Sequence, residues 1–285
     1  MKKTLVLTLA LLLLSAGQAM ATDLRALNIQ NAKIYANDDQ NAEMRVNFDW
    51  FHDGRNSNFN GLRRNSNVFN MPRIDIRQSC TSCPIPFRIG LNTSLNAGNT
   101  ELATFGTDGD TEVFERSAFG FGNLGLTLEA ALVQTDSVNI TGYINQHFSM
   151  LHNNLLNNLT LRPQNGRNAY GFQTGALYQF DMGRHLTWYG DLGYRFDVPQ
   201  AGAIQHSFVY YNEAVLGFGS NDSFGLSLGL LGNTVYTNNI GTDLRLVPGI
   251  IAKVGNSGQI RVGVPFGING TSPDIGVQAS YFTSF

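Results

Sequence analysis

The two cysteines of the chain lie three residues apart, at Cys80 and Cys83. Two nearby cysteines in an oxidising compartment usually pair, so we predict a disulfide that closes a tight turn. Covalent haem attachment needs a histidine directly after the second cysteine, where this chain has Pro84. Structural zinc usually needs four ligands, and there is no second Cys-x-x-Cys. Redox or metal contact with a periplasmic partner, and free thiols, are the alternatives; no cofactor or metal is predicted.

His147 and Ser149 are two residues apart, which on a strand places both side chains on one face. A nucleophilic serine needs a base within hydrogen-bond reach and a third group that orients this base. The His-x-Ser spacing resembles that of outer-membrane phospholipase A, a twelve-stranded barrel, but the longer motif around it is absent. We therefore predict that the protein is not an enzyme, and keep a lipid-acting enzyme as the least favoured hypothesis.

The elements that would position these side chains are β-strands, because apolar and polar residues alternate along most of the chain. The alternation is clear over residues 124–133, 186–196 and 275–285. About twelve such strands of roughly 9–13 residues can be counted, an even number and a length that crosses a bilayer at a tilt. The stretch 67–77 is the weakest of them, since Pro72 interrupts it.

The links between these strands alternate in length, which is typical of outer-membrane barrels with short periplasmic turns and longer external loops. Long links are predicted at Gly54–Ser66, Gly98–Ala118 and Ser149–Asn168, and short ones at Ser79–Cys83, Thr135–Ser137 and Met182–Arg184. The alternative fold is a soluble periplasmic β-protein, in which long and short loops are not expected to alternate along the chain. The fold class predicted is all-β, an antiparallel transmembrane β-barrel.

The beginning of the chain has the pattern of a cleaved signal peptide. Lys2 and Lys3 precede an apolar run at residues 5–14, and Ala19-Met20-Ala21 supplies small residues for cleavage. We predict a signal peptide at 1–21, an N-terminal periplasmic segment at 22–42 and the barrel at 43–285. Residues 22–42 show neither the helical nor the strand periodicity of apolar residues. A periplasmic tail, an inserted plug and an extra pairing segment are therefore three alternatives for this segment.

The composition agrees with a membrane barrel. Charged residues make up 14% of the chain, whereas soluble domains average about 25%. No concentrated basic surface is present, so a nucleic-acid partner is excluded. The alternating last strand carries Tyr281 and ends on Phe285, which resembles the C-terminal assembly signal of bacterial outer-membrane barrels. The partners expected are therefore outer-membrane lipid, the barrel assembly machinery and periplasmic chaperones, in the outer membrane of a Gram-negative bacterium.

Polar residues on the inward faces are the candidates for function. Those predicted to line the lumen are Arg45, Asp49, Arg88, Glu129, His147, Asp191, Arg195, Glu213, Arg245 and Arg261. Mixed charges in a narrow lumen either pair with one another or line a path for solutes. The alternation places Arg245 and Arg261 inward on neighbouring strands, so removing both should move ion selectivity toward cations if they border an open path.

Two stretches resemble the outer-membrane "MetA-pathway of phenol degradation" transporter-like family. One is Gly120-Phe-Gly-Asn-Leu-Gly-Leu-Thr-Leu-Glu129, and the other runs from Val264 through Pro273-Asp274 to Val277. The chain departs from the family at Asn123, where an acidic residue is usual, and in its Cys80/Cys83 turn. The resemblance implies a channel or transporter for small solutes, among them apolar or aromatic ones. A structural barrel with a side-chain-filled lumen that binds a periplasmic partner is the alternative.

Overall fold

A computed structural model describes residues 24–27, 29–30, 32–34, 42–57, 62–105, 111–149, 168–183, 185–199, 204–219, 222–236, 241–255, 257–269 and 272–285. The expected signal peptide lies outside these residues. The strand segments are β1 (Ala42–Ser57), β2 (Leu62–Cys80), β3 (Phe87–Phe105), β4 (Thr111–Phe121), β5 (Asn123–Gln134), β6 (Val138–Ser149), β7 (Asn168–Asp181), β8 (Leu186–Pro199), β9 (Gln205–Phe218), β10 (Phe224–Val235), β11 (Gly241–Val254), β12 (Gly258–Gly263), β13 (Phe266–Gly267) and β14 (Ile275–Ser284).

The segments form one antiparallel sheet that closes on itself, because β14 pairs with β1. β4 and β5 are two parts of one spanning strand, since both pair with β3 on either side of Gly122. β12 and β13 likewise both pair with β11 and β14; Pro265 lies between them and has no N–H to donate to the ladder. Over the described ranges, the barrel therefore has twelve spanning strands, and the predicted fold class is confirmed.

The two faces of the sheet differ as the alternation predicts. On β5, Leu124, Leu126 and Leu128 are exposed on the outside, whereas Thr127 and Glu129 are buried inside. Outward leucine, isoleucine, valine and aromatic side chains continue around the barrel and form an apolar belt. No helix in the described part of the chain is long and apolar enough to cross a membrane. The belt gives the outer surface the character of a lipid-facing wall.

The two ends of the barrel are built differently. One end is called the turn end. It contains the links 135–137 and 182–185, and the first residue of β1, Ala42, bonded to Phe285 after β14. At the other, called the hairpin end, β1 and β2 pair as far as Ser57 and Leu62. β3 and β4 pair as far as Phe105 and Thr111. Much of the links predicted at Gly54–Ser66 and Gly98–Ala118 is therefore strand, because hairpin pairing continues; the link at 150–167 lies outside the described residues.

β2 is much longer than the weak strand predicted at 67–77. It pairs on both sides, with β1 and with β3, and these two ladders outweigh the effect of Pro72. The ladder with β3 skips between Asn70 and Arg73, which accommodates the proline in an irregularity. At the turn end, Cys80 and Cys83 form the predicted disulfide, with their Cα atoms 5.7 Å apart, in the link between β2 and β3.

Candidate functional site

The described residues between Leu24 and Ile34 lie inside the barrel, and we call them the plug. Leu24, Ala26, Ile29, Ala32 and Ile34 are at most 1% exposed. Their contacts are with inward-facing residues near the turn end of the barrel wall. The described residues of this segment bury apolar side chains that a periplasmic tail would leave in water.

Barrel side chains hold the backbone of the plug. The hydroxyl of Tyr189 donates to the carbonyl of Leu24 at 2.7 Å, and that of Thr141 donates to the carbonyl of Ala32 at 2.6 Å. The N–H of Leu27 donates to Oε1 of Glu213 at 2.7 Å. Four further bonds of this kind join the barrel to the plug: Arg25 N to Gln259, Arg45 to Ile29 O, Gln134 to Ile34 O and Arg261 to Ala26 O. A buried segment without a strand partner needs such bonds for its backbone polar groups.

Two glycines make room for the apolar side chains of the plug. A methyl group at Gly225 would collide with Leu24, and one at Gly263 would collide with Leu27. Leu24 also belongs to a buried cluster with Tyr189 on β8. The barrel wall is therefore shaped to receive this segment at defined positions.

A chain of ion pairs connects the plug to one side of the wall. Arg25 of the plug pairs with Glu43 at 3.3 Å, and Glu43 also pairs with Arg88 at 3.4 Å. Nε of Arg88 donates to Glu129 at 2.6 Å, and Glu129 pairs in turn with Arg77. Glu43 and Glu129 each pair with two arginines. We call this set the charge ladder; its members are Arg25, Glu43, Arg88, Glu129, Arg77 and Asp75.

Between the plug and the hairpin end lies a cavity of about 420 Å³, called the vestibule. Gln30 of the plug forms part of its floor. Its charged lining consists of Arg45, Asp49, Arg73, Asp75, Arg77, Glu129, Asp191, Arg195, Asp197, Asp243 and Arg245. Tyr143, Tyr211 and Phe51 add aromatic rings to this lining. The lumen is therefore filled by the chain at the turn end and open for a small solute above it.

Most of the vestibule's charges have close partners. Arg195 pairs with Asp197 at 2.8 Å, and Asp197 also lies 2.9 Å from Nε2 of His147. Nε of Arg245 donates to Asp243 at 3.0 Å.

Asp191, in contrast, is held by an uncharged network on the same lining. The hydroxyl of Tyr143 donates to Asp191 at 2.7 Å and accepts from Gln173 at 2.6 Å. A methyl group at Gly193 would collide with that hydroxyl, so the glycine leaves space for the tyrosine.

The structure separates the predicted lumen residues into two groups. Those in the vestibule lining are Arg45, Asp49, Glu129, Asp191, Arg195 and Arg245. Those that are buried outside this lining are Arg88, His147, Glu213 and Arg261. Arg245 and Arg261 lie at different levels of the lumen, because Arg245 pairs in register with Gly267 whereas Arg261 lies opposite Ile251, several residues nearer the turn end. Arg261 contacts the plug and Arg245 the vestibule.

The inward row Arg73, Asp75 and Arg77 on β2 was missed, although these residues alternate. Because Pro72 interrupts the strand that presents them, this strand was the weakest of those predicted, and its inward face was not considered. His147 lies inward beside Asp197 and Arg195, while the side chain of Ser149 lies outside the described part of the structure. Tyr281 is on the outer face of β14, and Phe285 closes the seam with Ala42.

The closed antiparallel barrel, its apolar belt and its polar lumen define an outer-membrane β-barrel. The chain is similar in structure to the transport unit of the autotransporter AIDA-I from Escherichia coli, with 10% identity, a TM-score of 0.61 and coverage of 93% of this chain and 95% of that chain. It is also similar to the COG4313 outer membrane channel from Pseudomonas putida F1, with 11% identity, a TM-score of 0.54 and coverage of 90% and 100%. Because the sequence identities are this low, the similarity shows a shared fold and nothing more specific.

No family model matches the chain, and no curated protein does. The resemblance to the MetA-pathway family therefore stays a prediction.

Proposed function

We propose that the protein is an outer-membrane channel for passive passage of small solutes, with the plug as its gate. The observation that carries the proposal is the division of the lumen into a polar vestibule of about 420 Å³ and a plug held at the turn end. The orientation proposed places the turn end in the periplasm and the hairpin end outside. A solute would enter the vestibule and pass when the plug moves.

The way in which the plug is held supports a gate. The bonds described above between barrel side chains and plug backbone are single hydrogen bonds, not a strand ladder. Each such bond contributes about 1 kcal/mol net, so the plug can be loosened in steps without disturbing the barrel wall. The two similar structures are described as a transport unit and a channel, which favours the same class of function.

Single-channel conductance in planar bilayers tests this function. Tyr189→Phe with Thr141→Val removes two hydroxyls that hold the plug, and we expect more frequent or larger openings than in the wild type. Deletion of residues 24–34 gives the fully open reference. The matched control, Tyr194→Phe with Thr174→Val, removes two hydroxyls that lie outside the lumen and should behave as the wild type. Deletion protein that folds but conducts no ions would refute the channel.

The charge ladder favours a second function, a structural barrel with a filled lumen. It ties Arg25 of the plug to Glu43 and, through Arg88, to Glu129 in the wall. Such a barrel would present the Cys80–Cys83 turn to a periplasmic partner. The conductance experiment separates the two functions, because a structural barrel loses stability on plug deletion and gains no conductance.

A further inference from the structure

Five buried side-chain oxygens of the vestibule have no hydrogen-bond partner among the described residues. Each comes from a residue that lines the vestibule. They are Thr127 Oγ1, Asn145 Oδ1, Gln205 Oε1, Asn233 Oδ1 and Gln278 Oε1. Buried polar atoms in native proteins are nearly always hydrogen-bonded, so these five side chains, which all line one cavity, are placed to turn toward a bound ligand.

These groups surround the cavity instead of clustering at one point. They belong to β5, β6, β9, β10 and β14, which lie around much of the barrel. A ligand that meets all of them must carry hydrogen-bonding groups in several directions. The four amides can accept through oxygen and donate through nitrogen, which matches hydroxyl groups in both of their roles.

Most charges of the vestibule are already paired with one another. Asp197 neutralises Arg195, and Asp243 neutralises Arg245. Asp75 and Glu129 both pair with Arg77. Among the charges without an ion pair to another described residue, Asp49 lies near Arg73 and Arg245, Asp191 accepts from Tyr143, and Arg45 donates to the carbonyl of Ile29. A ligand with a net charge would compete with these ion pairs, whereas a neutral ligand leaves them intact.

We propose that the vestibule binds a neutral, polyhydroxylated solute of mono- to disaccharide size. The volume of about 420 Å³ lies in the range of small-molecule pockets. The rings of Tyr143 and Tyr211 supply surfaces for the C–H groups of such a solute. The inference rests on the proposed function, because the bound solute is the one that the channel passes. It differs from the apolar or aromatic solutes that the family resemblance implies.

Binding to purified full-length protein tests the inference by calorimetry, in a detergent without a sugar headgroup. The probes are maltose, glucuronate as an acidic sugar and phenol as an aromatic solute. We expect maltose to bind more tightly than the other two. Asn145→Leu with Asn233→Leu should weaken maltose binding roughly tenfold, since two neutral hydrogen bonds are lost. The matched control is Asn99→Leu, at an exposed position on β3, and it should bind as the wild type.

The outcomes separate this inference from the proposed channel. Folding of each variant is checked by heat-modifiable gel mobility. Undetectable maltose binding, tighter binding of phenol or glucuronate, or equal binding by the double variant would overturn the saccharide site. If maltose binds as expected and the plug deletion does not conduct, the site stands and the channel fails. If the plug deletion conducts and maltose does not bind, the channel stands and the saccharide site fails.

Discussion

Glu129 is the residue on which two arginines of the barrel wall converge. It accepts hydrogen bonds from Arg88 and pairs with Arg77, and its side chain is 1% exposed. Removing the charge of a buried partner leaves the remaining charges uncompensated, which costs about 3–5 kcal/mol. Glu129→Gln should therefore lower the free energy of unfolding by at least about 3 kcal/mol, measured by urea unfolding in lipid vesicles.

The matched control for this variant is Glu115→Gln on β4, because Glu115 is exposed. We expect it to change the free energy of unfolding by no more than about 0.5 kcal/mol. Equal stabilities of the two variants would show that the charge ladder does not hold the lumen together.

Arg245 and Arg261 should have different effects, because they lie at different levels of the lumen. Arg261→Ala removes a contact with the carbonyl of Ala26 in the plug, so it should increase the frequency of channel opening. Arg245→Ala removes a positive charge that donates to Asp243 in the vestibule, so it should move the reversal potential toward cation selectivity. Both quantities are measured on the same bilayers. An identical response of the two variants would contradict the separation into plug and vestibule.

At the scale of elements, the strands could be predicted from sequence far better than the plug. Alternation follows from one lipid face and one lumen face, so it appears wherever a strand spans the barrel, as on β5 and β8. The plug has no such period, because its described residues contact barrel side chains from several different strands. The contacts between Leu24 and Tyr189, or between Ala32 and Thr141, join residues more than a hundred positions apart. No local pattern encodes them.

The sequence pattern also failed to predict how far the strands continue at the hairpin end. β3 and β4 continue to pair above Phe119, where the outward residues change from aromatic to polar with Ser117 and Glu115. Alternation of apolar residues stops where the lipid is expected to stop, whereas backbone pairing continues. Loop lengths read from hydropathy therefore overestimate the irregular part of each link.

The proposed orientation predicts that the β3–β4 link is outside the cell. A peptide tag inserted at Asp108, in the link 106–110 outside the described residues, should be labelled by antibody in intact cells. A tag in the turn at residues 135–137, which connects β5 and β6, is the control and should be labelled only after the outer membrane is permeabilised. The opposite labelling pattern would contradict the proposed orientation, because it would place the hairpin end and the vestibule on the periplasmic side.

At the scale of the whole molecule, the barrel depends on the seam between β14 and β1. Ala42 donates to the carbonyl of Phe285 at 3.0 Å, and Phe285 donates to that of Ala42 at 2.9 Å. Deletion of Phe285 removes both bonds and shortens the seam, which otherwise continues from the pair Glu43 and Ser284 to the pair His52 and Ile275; unpaired backbone groups at its end are costly in lipid. We expect less folded barrel in membranes, measured as the heat-modifiable band on gels.

The aromatic ring and the backbone of Phe285 can be separated by a second variant. Phe285→Leu keeps the two seam bonds but removes the aromatic ring, which is exposed. If the terminal aromatic residue is an assembly signal, Phe285→Leu should assemble poorly in cells and refold normally into vesicles without the assembly machinery. If only the seam matters, Phe285→Leu should behave as the wild type in both settings. Normal folding of the deletion in both settings would show that the terminal residue is dispensable.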